Sequence, residues 1–220
     1  MNDELYTIQN SLKGNVGVII LSGHITNVEN TANSIRAELE LLKNDPRCKS
    51  ALLEMVNCYG GNVYEGEGIL HYMDEFKKSK PLNTKGIGII ASMGFSIYLK
   101  GDEREMVKGS RLMSHEVKGG ISGSAEQIES YADNVKKLNA EMVKNIASMI
   151  QKDEAYVTAN LMRPGVDTYI SADKAYKLGL STKRPVSGSL KQDIPQNVLD
   201  TTDPTAVIKF YQKQIDNSNK

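Results

Sequence analysis

Apolar residues along this chain keep two rhythms, and the change from one to the other marks out its elements. Val16-Gly-Val-Ile-Ile-Leu21 and Ala51-Leu-Leu-Glu-Met-Val56 are near-continuous apolar runs, as expected of strands buried on both faces. A third strand-like run, Ile87 to Ile90, ends in Ala91-Ser92-Met93-Gly94, and a second apolar run follows from Phe95 to Leu99. Between the strands the apolar period lengthens to three and four. Ala32, Ile35, Leu39 and Leu42 predict a helix preceded by a capping box at Thr26 and Glu29 and stopped at Asp45-Pro46. Ile69, Leu70, Met73 and Phe76 predict another. The resulting β-α-β-α-β-α order argues for right-handed crossovers and a mainly parallel sheet, whose ligands bind beyond the carboxyl ends of the strands. The Gly60-Gly61 turn and Ser92 both fall at such an end.

The pattern is less regular outside this block. Residues 4 to 10 alternate weakly, as a short strand would. Arg104–Val107 and Arg111–His115 read as short extended pieces, followed by the glycine-rich turn Gly119-Gly120-Ile121-Ser122-Gly123. Ser124 and Gln127 form a capping box ahead of the longest helical pattern, with Ile128, Tyr131, Val135, Leu138, Met142 and Ile146 recurring every three or four residues. Such a helix either projects toward another subunit or spans the sheet as core, and the spacing alone leaves both open. A shorter helix is predicted over Glu154–Met162, an extended piece over Asp167–Ile170, and a helix from Ser171 to Leu178 ended by Gly179. The composition shifts at Pro185. Residues 1–184 therefore read as one domain, and 185–220 as a linker and tail with a final amphipathic helix starting at Asp203-Pro204.

Charge and composition narrow the function. Lysine plus arginine and aspartate plus glutamate number 27 each, so no net field draws the chain to nucleic acid or lipid. No apolar run approaches the roughly 18–20 residues of a membrane helix. The start, Met1-Asn-Asp-Glu, lacks the basic region of a signal peptide. The expectation is a soluble, cytoplasmic protein. Cys48 and Cys58 are too few for a disulfide framework, and no Cys or His cluster has metal-ligand spacing, so neither a metal nor another cofactor is expected. The glycine turns lack the Gly-Lys-Ser/Thr of a phosphate loop.

Two roles are open to Ser92 at its strand end: a helix cap, or a nucleophile standing beside free N–H groups. Of the three histidines, His24 and His71 read as structural, whereas His115 ends an extended segment just before a glycine turn. Ser92, His115 and a carboxylate to orient the imidazole would make an acyl-transfer triad. Asp167 is one of several candidates for the third member.

Several segments share an order with a known family. Asn57-Cys-Tyr-Gly60-Gly61-Asn-Val63 resembles the glycine turn of the Clp protease proteolytic subunit (ClpP) family of serine peptidases. Ala91-Ser92-Met93-Gly94 is similar to its nucleophile segment, and Gly109-Ser-Arg111-Leu-Met-Ser-His115 to its histidine segment. Asp167 through Ala175 and on to Gly179-Leu180 is similar to its aspartate segment. The resemblance covers about residues 16 to 183 and departs at Tyr59, Ile90, Lys85 and the segment before Val16. It implies an α/β, crotonase-like fold of repeated β-β-α units with a long protruding handle helix. It also implies Ser92, His115 and Asp167 as the triad, Gly61 and Met93 as oxyanion-hole donors, and Gly119, Gly120, Ile121, Ser122 and Gly123 as a strip that pairs with extended polypeptide substrate. The family assembles into homo-oligomeric rings, heptamers or double rings, with active sites facing an inner chamber, and takes an AAA+ ATPase as partner. The departures suit the divergent ClpP-like peptidases of phage and mobile elements, some of which act on capsid or scaffold proteins. Two other readings compete: a crotonase-type enzyme of acyl-coenzyme A thioesters, and an inactive shell protein that keeps only the oligomer.

Overall fold

The computed structural model describes residues 11–185. The strand expected at residues 4–10 and the helix expected from Asp203 lie outside the described residues. Seven strands among the described residues form one sheet, in the order β1-β2-β3-β4-β6-β7 with β5 alongside β4. β1 (Ser11–Lys13) pairs antiparallel with β2 (Val16–Ile25); β3 (Ser50–Gly61) and β4 (Leu82–Ala91) follow in parallel. β5 (Arg104–Met106) and β6 (Arg111–Ser114) both lie parallel to β4, and β7 (Thr168–Ser171) returns antiparallel to β6. Strand order follows chain order with no reversal, so the sheet is not doubly wound. The architecture is mixed α/β, as the resemblance implies.

The helices form where the period of three and four predicts them. α1 (Ala32–Asn44) buries Ile35, Leu39 and Leu42, and α2 (Val63–Lys77) buries Ile69, Leu70, Met73 and Phe76. The two helices pack together, and Gly68 lets them approach closely: a Cβ there would lie 2.6 Å from Ala32 Cβ. The start of α1 differs from the expectation. Thr26 Oγ1 accepts from Glu29 N at 2.8 Å and Val28 N at 3.2 Å, closing a local turn instead of opening a helix. Asn30, at φ 49°, breaks the chain direction, and Thr31 becomes the cap, its side chain accepting from Ser34 N.

The strands also differ from the reading of burial on both faces. Along β3, Ala51, Leu53, Met55 and Cys58 are buried, while Leu52, Glu54 and Val56 are half-buried; in β2, Ile20 is exposed. One face of the sheet carries the core, and the other is only partly covered by this chain. Lys85 belongs to that second face: it lies opposite Glu54 in the ladder, and Nζ reaches Glu54 Oε2 at 3.2 Å. A charge within an apolar strand is thereby matched by its cross-strand neighbour.

α3 (Met93–Leu99) is buried at all seven positions. Tyr98, inside the core, shares a 2.7 Å hydrogen bond between its hydroxyl and Ser181 Oγ, which ties the segment after α6 (Ala172–Lys177) to α3. α4 (Ala125–Ile150) opens with the expected capping box at Ser124 and Gln127. Its buried residues, Met142, Ile146, Ala147 and Ile150, all lie in its last third, where α5 (Glu154–Asn160) packs against it. Further toward its start, Tyr131, Val135 and Leu138 are half-buried and Ile128 is exposed. Of the two arrangements open to this helix, it therefore takes the projecting one. Among the described residues no helix is long and apolar enough to cross a membrane.

Ile146, fully buried where α4 meets the body, is the anchor of that projection. Ile146→Ala is expected to lower the unfolding free energy by about 2–5 kcal/mol, read as a fall in the urea midpoint.

Candidate active site

Three neighbouring strands bring the predicted site residues to one end of the sheet. β4 runs parallel to β6 with Ile89 opposite Arg111, Ile90 opposite Leu112 and Ala91 opposite Met113. Ser92 comes next, and its N–H donates to Met113 O at 2.9 Å. His115 leaves β6 two residues after Met113, at the same end. β7 is antiparallel to β6, with Thr168 opposite Ser114, so Asp167 enters the sheet at this end as well. The carboxyl ends of two parallel strands and the amino end of an antiparallel one thus place Ser92, His115 and Asp167 at the same end of the sheet.

Ser92 is half-buried, with φ 55° and ψ −126°. A residue with a Cβ rarely adopts positive φ, and holding it there costs on the order of 1–3 kcal/mol. It stands at the N-cap position of α3, but its side chain makes no capping hydrogen bond. The sharp turn from strand to helix is possible because Gly60 has no side chain. A Cβ on Gly60 (φ 77°) would lie 2.5 Å from Ala91 O and 2.7 Å from both Met93 N and Ser92 Cβ. Gly61 (φ 145°) is equally constrained, since a Cβ there would lie 2.1 Å from Ile25 O. Gly94 packs against Cys58 in the same way. The Gly60-Gly61 turn therefore abuts the backbone of Ser92 and Met93. Met93 also begins α3, where first-turn N–H groups lack acceptors within the helix.

His115 and Asp167 lie close without being bonded. The imidazole is only 13% exposed, its Nδ1 has no hydrogen-bond partner, and Asp167 Oδ1 is 3.7 Å away. That same oxygen accepts from Lys118 Nζ at 2.6 Å. Burial, reinforced by the nearby Lys118 charge and opposed by Asp167, pushes the His115 pKa below its ordinary value. The Lys118 hydrogen bond holds the Asp167 carboxyl below its usual range. At neutral pH the pair is a neutral imidazole beside a carboxylate. The thiol nearest this turn is no rival nucleophile, because burial pushes Cys58 up to about 11.

The remaining predicted positions follow His115 in the chain. Gly119, Gly120, Ile121, Ser122 and Gly123 are exposed and form irregular backbone between β6 and α4. Val117 N donates to Asn139 Oδ1 at 2.7 Å, which ties the start of this segment to α4. The two departures in the site motifs have separate settings. Tyr59 is exposed and stacks on His24 with ring centroids 5.1 Å apart, whereas Ile90 is fully buried in the core. Among the described residues no group of three or more His, Cys, Asp or Glu is placed to hold a metal ion.

Sequence reasoning assigned no role to three contributors. Asn57 (φ 47°) accepts from Ile89 N at 3.3 Å and fills the space beside Gly88, while Ser110 Oγ accepts from Gly88 N at 2.9 Å. Together they brace β4 just before Ser92. Asparagine's tolerance of positive φ was the available signal for Asn57. Lys118 is three residues from His115, but nothing in that spacing points to Asp167.

Gly60→Ala combines left-handed backbone with a collision, and is expected to destabilise the fold by at least about 1–2 kcal/mol. Gly120, with open space around its Cβ position, is the control. Gly120→Ala should leave the unfolding free energy, measured by urea titration, within about 0.5 kcal/mol of the parent.

The sequence model described as Clp protease matches residues 2–183. The chain is 30% identical over 165 residues to the ATP-dependent Clp protease proteolytic subunit 1 of Prochlorococcus marinus (strain MIT 9312), covering 74% of this chain and 80% of that one. Similarity to the ATP-dependent Clp protease proteolytic subunit of Borrelia garinii subsp. bavariensis is also 30% over 165 residues, with 74% and 81% covered. For the subunit of the same name from Deinococcus radiodurans it is 32% over 152 residues, with 68% and 71% covered.

Proposed function

The chain belongs to the Clp protease family, and from that premise we propose that it is a serine peptidase acting through Ser92, His115 and Asp167. The observation that carries the reading is the left-handed Ser92 at the end of β4, with the two other residues arriving at the same sheet end from adjacent strands. Ser92 Oγ attacks the scissile carbonyl as His115 Nε2 takes its proton. Asp167 faces Nδ1 and stabilises the imidazolium that forms. The carbonyl oxygen, now anionic, is received by the N–H groups of Gly61 and Met93. Loss of one such donor typically costs about 2.7–4 kcal/mol of transition-state stabilisation. His115 then protonates the leaving amine, and water releases the acyl group by the reverse sequence.

Residues 1–184 form the peptidase domain in this reading, and 185–220 a tail. Gly119 to Gly123 binds extended polypeptide through backbone hydrogen bonds, which their exposure and lack of ladder partners support. The projecting start of α4, with Ile128, Tyr131, Val135 and Leu138 along it, supports assembly into a ring that encloses the sites. The curated relatives are named as ATP-dependent proteolytic subunits. By extension, this chain takes its substrates from a partner ATPase.

A fluorophosphonate probe should label the assembled protein, and Ser92→Ala should abolish that labelling. Labelling that persists in the variant sinks the nucleophile assignment, and an intact assembly that never labels is instead an inactive shell. The neutral imidazole is the active form. Because burial lowers the His115 pKa, the acid limb of kcat/KM for a short peptide should fall below the ordinary histidine value of 6.5, with activity lost as pH drops through it. A limb above that value contradicts the assignment of His115 as base.

A further inference from the structure

The geometry points to Lys118 as a positioning residue of this centre, a latch whose ammonium group occupies Asp167 and so keeps the carboxylate off the His115 imidazole. The inference rests on the reading of His115 and Asp167 as base and orienting acid. It starts from one oxygen with two claimants. Asp167 Oδ1 is 2.6 Å from Lys118 Nζ and 3.7 Å from His115 Nδ1. The losing claimant is left as a buried nitrogen with no partner, which is the costlier group to leave unpaired.

The latch is built to open. The Lys118 side chain is 61% exposed and the Asp167 side chain 38%, and an ion pair so wetted is weak and easily exchanged. Lys118 directly precedes the exposed, irregular segment that starts at Gly119, so its backbone can move without breaking a ladder. When the ammonium leaves, Asp167 is free to accept from Nδ1, which fixes the tautomer with Nε2 as the base. Among the described residues, other charged groups of these segments are engaged elsewhere. Glu116 is turned to Gly165 N at 3.0 Å, and Arg163 Nε to Thr168 Oγ1 at 3.5 Å.

The test uses the full chain and Lys118→Met, which keeps the stem and removes the charge, with Lys118→Gln as a second neutral variant and Lys118→Arg as the conservative one. The pH dependence of His115 carbethoxylation by diethylpyrocarbonate, read on its own peptide by mass spectrometry, reports the imidazole directly. Both neutral variants should raise the His115 midpoint by about one pH unit and increase fluorophosphonate labelling of Ser92 several-fold on the alkaline plateau, while Lys118→Arg stays at the parent values. A midpoint that does not rise, or plateau labelling that falls, overturns the latch. If Ser92-dependent labelling is present but the midpoint stays put, the peptidase reading stands and the latch fails. If the midpoint rises in a protein that never labels, the latch on Asp167 stands and the peptidase reading fails.

Discussion

The close approach of one backbone to another holds this molecule's candidate site together. Gly60 lies so near Ala91, Ser92 and Met93 that no side chain could stand between them. That contact joins the ends of β3 and β4, holds Ser92 in left-handed backbone, and turns the chain at once into the buried α3. Strain of this kind persists only where the surroundings over-determine it. Here they do, through the Ser92 N–H bond to Met113 O behind and the glycine turn beside it. Asn57 and Ser110 add bracing just upstream at Gly88 and Ile89. The tertiary contact is therefore the reason a serine at a helix start makes no cap.

The electrostatics of the site follow from how unevenly its members are buried. His115 is nearly enclosed, while Asp167 and Lys118 reach water. Enclosure disfavours the charged imidazole and holds it neutral, the form a general base requires. Exposure lets Asp167 choose between partners at small cost. The site combines a rigid half, the glycine turn with Ser92 and Met93, and an adjustable half, the carboxylate with its two claimants.

The rest of the fold serves this arrangement from a distance. Strand order equal to chain order places α1 and α2 together over the core, and leaves the opposite face only partly covered. α4 anchors by its last third and extends away. The half-covered sheet face and the start of α4 carry apolar residues that the body of the fold leaves exposed or half-buried.

Much of this was legible in the residues. The three apolar runs, the periodic stripes of α1, α2 and α4, and the Ser124–Gln127 box each depend on neighbours within a few positions, so local pattern sufficed to find them. The motif order around Ser92, His115 and Asp167 was legible for the same reason: each motif is a short turn at a strand end. Other features depended on contacts between distant segments. Thr26 with Glu29 spells a helix start, yet Asn30 and the Thr26 turn delay α1 to Ala32. Lys85 looked like an intrusion until Glu54 came to lie opposite it. Lys118 and Asp167 are 49 residues apart, and only the antiparallel return of β7 beside β6 brings them together. By itself, the sequence determined which segments are strands and helices and which residues stand as candidates for chemistry, because those properties are local. Which face of the sheet is covered, that α4 projects, and which partner holds Asp167 were decided by tertiary structure alone, because each depends on what distant parts of the chain leave buried, exposed or unpaired.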